Sequence, residues 1–102
     1  MQKIDNYING QAVPPTSTGY LDNFDPAIGK VYSLIPDSGA ADVESAVRAA
    51  SCAFHDWANM RVEKRSAILL RIADLIDREL DKLAMAESVD NGKPYALARK
   101  MD

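Results

Sequence analysis

Two stretches of the chain combine residue types that can do chemistry. Cys52 and His55 stand three positions apart in "SCAFH", where a histidine can in principle act as base for a cysteine nucleophile. Their neighbours Ala49, Ala50 and Ala53 supply no donor for an oxyanion, and an isolated cysteine of this kind behaves as a small packing residue. We therefore read Cys52 as a small core or boundary residue of a helix and His55 as a surface residue beside Asp56. One cysteine and one histidine cannot form the spaced patterns of a zinc site or an intramolecular disulfide.

The second stretch is "ESVDNGKP" at positions 87 to 94. Gly92-Lys93 resembles the end of a phosphate loop, but Ser88 stands where the first glycine of that loop belongs and no Ser or Thr follows Lys93. The five glycines, at 10, 19, 29, 39 and 92, do not form a G-x-G-x-x-G dinucleotide fingerprint either. Gly92 suits the left-handed end of a helix, and Pro94 suits the first turn of the next one, where its missing N–H costs nothing. A helix-to-helix turn is the reading. At such a turn Asp90 joins the carbonyls freed by the helix end, a set of oxygen ligands suited to a hard cation. Asp74, Asp77, Glu79, Asp81 and Glu87 are expected to form the solvated face of a helix, with no pair whose pKa values are driven apart.

The elements that position these residues fall into two halves. Residues 1–36 read as β-hairpins: "NYINGQAV" has Asn9-Gly10 between two short runs, and "PPTSTG" is a loop. "YLDNFDPAIGKVYSLIP" reads as a second hairpin around Asp25-Pro26-Ala27-Ile28-Gly29. Beyond Ser38 the apolar period becomes helical. Val43, Ala46, Val47, Ala50, Phe54 and Trp57 mark a helix over 38–58, with Ser38 as its N-cap and Asp42 in its first turn. Ile68, Leu69, Ile72, Leu75, Ile76, Leu80, Leu83 and Ala84 mark a second helix within 60–89, from about Val62 to Val89, capped by Asn59 and carrying an outer Asp74–Arg78 pair. Residues 90–93 form the turn, and 94–102 begin another helix. The second helix has an apolar stripe wider than two short hairpins can cover, which makes the chain a segment of something larger.

Hydrophobic residues are 47% and charged residues 26% of the 102, so the chain is expected to fold. A net charge of −3 offers no field for nucleic acid or an anionic membrane surface. No apolar signal core follows the N-terminus and no run approaches the roughly 18 residues of a membrane span, which favours a cytoplasmic location.

Taken in order, "NYINGQ", "NFDPAIGKVYSLIPDS", "DVESAVRAASCAFHDW", "KRSAILLRIADLI" and "ESVDNGKP" resemble the N-terminal segment of the aldehyde dehydrogenase superfamily, from about position 6 to position 99. "AESVDNGKPYALARKMD" is most similar to the branch acting on 2-aminomuconic and 2-hydroxymuconic semialdehydes. The chain departs from the family's usual Ser/Thr-Pro at the start of the second helix, where it has Arg61-Val62.

The resemblance implies an α/β fold: the N-terminal part of a cofactor-binding domain, with two short hairpins, two amphipathic helices and the start of a third. It also implies NAD(P)-dependent oxidation of an aldehyde by a thiolate, a hydride acceptor and a water-activating glutamate, in a full-length enzyme that is a homo-oligomer. Those catalytic and cofactor-binding residues lie downstream in the family, so none is carried over, and Cys52 does not match the nucleophile. What carries over is a sodium or potassium site, with Asp90 as carboxylate ligand and the main-chain carbonyl of Asn23 or Phe24 as a second. The segment alone is expected to be inactive and to bind no NAD or NADP. The alternative is a stand-alone helical hairpin that dimerises through the stripe around Ile72 and Ile76, without catalysis.

Overall fold

The computed structural model describes residues 1–101. The strands are β1 (Gln2–Lys3), β2 (Asn6–Ile8), β3 (Gln11–Val13), β4 (Tyr20–Asp25) and β5 (Lys30–Pro36). The helices are α1 (Ala40–Asn59), α2 (Val62–Arg78), α3 (Leu80–Asn91) and α4 (Tyr95–Met101). The chain forms two compact units, one of Met1–Phe24 with Val31–Asn59, the other of Asp25–Lys30 with the chain from Met60 onward.

In the first unit β2 and β3 form an antiparallel hairpin in which Ile8 pairs with Gln11. Asn9 and Gly10 hold φ angles of 54° and 78°, the two consecutive positive values of the expected two-residue turn. The other sheet has the order β1-β5-β4. The pairing of β4 with β5 follows the sequence expectation. β1 was not foreseen: its two residues run parallel to β5, Gln2 opposite Ser33 and Lys3 opposite Leu34. Two residues carry no readable period, and it is the edge of β5 that makes them a strand.

The start of α1 differs from the expectation. Gly39, not Ser38, precedes the helix, and its carbonyl accepts the Val43 N–H at 3.2 Å. Asp42 Oδ2 accepts the Gly39 N–H at 3.0 Å. This is the reciprocal half of a capping box, with Asp in place of the usual Glu or Gln. Ser38 donates its hydroxyl to Asn6 Oδ1 instead, at 2.9 Å.

In the second unit the single long helix expected over 62–89 is two helices. Glu79 interrupts it at φ −101° and ψ 16°, ending α2 and preceding α3. Backbone bonds from Glu79 N to Leu75 O and from Leu83 N to Glu79 O, both 3.0 Å, carry the chain through without a loop. Nothing in the apolar period marks the break, because glutamate is a good helix former. Asn59 is the last residue of α1, not a cap for α2. Arg61 occupies that position with no side-chain cap hydrogen bond, and its carbonyl accepts the Lys64 and Arg65 N–H groups. Asp74 and Arg78 do not pair among the described residues. Exposed ion pairs such as Glu44 with Arg48 and Glu79 with Lys82 each contribute under about 1 kcal/mol.

Among the described residues the buried hydrophobics are Ala84 on α3 and Ala98 on α4, two elements in close contact. The helical stripes stay largely open: Phe54 is 67% exposed, Leu69 60% and Ile72 47%. Full burial of one such side chain is worth about 1.5–3 kcal/mol. Leaving them exposed forgoes most of what an amphipathic helix gains from its apolar face.

The turn between α3 and α4 has two constraints. Gly92 sits at φ 80°, and a β-carbon there would lie 3.1 Å from Cγ of Pro26, in the turn between β4 and β5. Pro94 lies one residue earlier in the following helix than expected, as its cap, accepting the Ala98 N–H at 3.0 Å. Gly92→Ala is expected to destabilise the fold by about 1–2 kcal/mol for the left-handed backbone alone, and by more for the Pro26 contact. Denaturant unfolding of Gly92→Ala with and without Pro26→Ala checks this: part of the loss should return in the double variant.

Candidate functional site

Cys52 is an exposed residue of α1. His55, one turn on, meets Asn59 Nδ2 through Nε2 at 3.4 Å. The histidine is thus engaged toward the helix C-terminus, and the exposure of Cys52 corrects the expectation of a core or boundary residue. No group of three or more His, Cys, Asp or Glu side chains able to hold a metal occurs among the described residues.

The residues tied to a cation fall in different units, Asn23 and Phe24 in the first and Asp90 in the second. Asn23 is in β4, and its amide donates to Tyr32 Oη at 2.9 Å and to the fully buried Ser33 Oγ at 3.1 Å. That side chain is committed inside the hairpin. Phe24 follows in the same strand with an exposed ring.

Asp90 is in the last turn of α3. The chain leaves that helix in a fixed way: Gly92 N–H bonds to Ser88 O at 3.0 Å, and Lys93 N–H bonds to Asn91 Oδ1 at 2.8 Å. Glu87 receives Asn91 Nδ2 and lies 3.6 Å from Lys93 Nζ. The donors that α3 presents at this end are oxygens, a carboxylate and carbonyls at the negative pole of the helix dipole. Their chemistry fits a hard cation and not a soft one.

Two carboxylates matter more than the sequence suggested. Asp42, 5% exposed, accepts Thr16 N–H at 3.0 Å through Oδ1, and Thr16 Oγ1 at 3.3 Å and Gly39 N–H through Oδ2. The Gly39 and Thr16 N–H bonds stabilise the ionised form and hold its pKa below the ordinary 3.8. The same loop is fastened by Ser17, whose hydroxyl donates to Asp37 O at 2.8 Å, and it carries Thr18 at φ 57°, a strained value for a β-branched residue.

Asp81, at the start of α3, accepts Arg99 Nε at 2.8 Å and Tyr95 Oη at 2.9 Å on one oxygen. Arg99 foremost, then Tyr95, lowers its pKa, and the Tyr95 hydroxyl is raised by the same bond. Asp81 was expected on the solvated face of a helix, and it is instead bonded to two side chains of α4. Asp81 was legible only as an exposed helix residue because its partners lie 14 and 18 positions on, across the turn at Gly92.

With this geometry, the comparisons with known proteins agree on a class. The sequence profile described as the aldehyde dehydrogenase family matches residues 13–102, and the chain belongs to that family. Among curated relatives it is 46% identical to the 2-aminomuconic semialdehyde dehydrogenase of Bos taurus and 43% to that of Homo sapiens, in each case over 97% of this chain and 20% of the relative. A crystal structure of an aldehyde dehydrogenase from Burkholderia cenocepacia superposes with a TM-score of 0.93 at 36% identity, covering 99% of this chain and 21% of that one. The NAD+ complex of the Bacillus cereus aldehyde dehydrogenase gives the same TM-score at 33% identity, with the same coverage. The chain thus spans about a fifth of the relatives it matches, and its α/β fold is that of their N-terminal part.

Asp42 has a pH signature. Its folded pKa lies below the unfolded one, so the unfolded chain takes up the proton first. The contribution is therefore full above about pH 4 and is lost as pH falls through the lowered folded value. Asp42→Asn should be less stable at neutral pH and show a shallower loss of stability in acid than the parent, read from unfolding midpoints across a series below about pH 5.

Proposed function

We propose that this chain is the N-terminal part of the cofactor-binding domain of an NAD(P)-dependent enzyme that oxidises an aldehyde to a carboxylic acid. The observation that carries this is the pairing of 46% identity, over 97% of this chain, to a 2-aminomuconic semialdehyde dehydrogenase with superposition of 99% of this chain on an aldehyde dehydrogenase in complex with NAD+. The substrate class that follows is a muconic semialdehyde, an unsaturated chain bearing an aldehyde and a carboxylate. NAD or NADP, when bound to the full protein, supplies the hydride acceptor.

The part played by these residues is scaffolding. The β-hairpins and α1 form one folded unit, and α2 to α4 form another whose apolar stripe is the surface for the remainder of the dehydrogenase chain to cover. The catalytic thiol, the water-activating carboxylate and the glycines that hold the dinucleotide belong to that remainder. No helix among the described residues is long and apolar enough to cross a membrane.

Asp90 is the carboxylate ligand of a sodium or potassium ion in this reading, resting on the oxygen donors at the end of α3. The ion neutralises negative charge there and stabilises the turn; it takes no part in the proposed chemistry.

Three outcomes test the proposal. The full-length protein incubated with 2-aminomuconic semialdehyde, 2-hydroxymuconic semialdehyde or a simple aliphatic aldehyde should form NADH or NADPH fastest with the muconic substrates, while the 102-residue chain forms none. Cys52→Ser in the full-length enzyme should leave kcat within about twofold of the parent; a loss of several orders of magnitude would make Cys52 the nucleophile. Replacing Asp90 by Ala should abolish the dependence of Tm on sodium or potassium concentration, and an undiminished dependence would remove Asp90 from the ion site.

A further inference from the structure

We draw no further inference here: the strongest candidate, the open groove between the β2–β3 hairpin and the alanine face of α1 (Ala46, Ala49, Ala50 and Ala53), with Cys52 at its rim, is lined by small apolar residues and nothing in the structure shows what covers it.

Discussion

The first unit depends on one buried carboxylate. Asp42 lies in the first turn of α1, yet its oxygens reach back 26 residues to the backbone and hydroxyl of Thr16 as well as to the Gly39 N–H. A carboxylate removed from water is costly unless hydrogen bonds replace its hydration, and three donors do so here. That satisfaction decides where α1 begins. It also holds a loop containing the fully buried Pro15 and the strained Thr18 in a single arrangement. Remove the carboxylate, and the helix loses its cap and the loop its anchor together.

The second unit is organised differently, by turns that leave the backbone little choice. α3 ends because Gly92 adopts a left-handed angle, and α4 starts because Pro94 follows with a fixed φ and no N–H. Asp81 then ties α3 to α4 through Tyr95 and Arg99, while Ala84 and Ala98, the small buried residues on those two helices, are compatible with close approach. These contacts are local and polar, and they leave α2 and its apolar side chains without comparable cover. The relatives in this family are some five times longer than this segment, and in the proposed reading their remaining chain is what covers such an apolar face.

The features legible in the sequence were those with short-range causes. Asn9-Gly10 announced its turn because few residue pairs accept two successive positive φ angles, and Gly92 with Pro94 announced a helix boundary for a related reason. The apolar period located α1 and the α2–α3 region because the interval between buried faces is set by helix geometry. Misreadings arose where a side chain had two partners to choose from. Ser38 is a good cap by type, but Asn6 took its hydroxyl, and Asp42 supplied the cap from the other side. Asp74 and Arg78 had helical spacing for a pair, but an exposed pair gains too little to hold two long side chains together.

From the order of its motifs alone the sequence determined the α/β class, the dehydrogenase family and the turn at Gly92. Each follows from local backbone preference or from residue types present in a particular order. Tertiary structure alone decided the strand at Gln2–Lys3, the interruption at Glu79, and the roles of Asp42 and Asp81. The strand and the two carboxylate roles depend on groups brought together from 14 to 31 positions apart. The energy of such contacts lies in burial and mutual hydrogen bonding, and neither exists until the chain has folded.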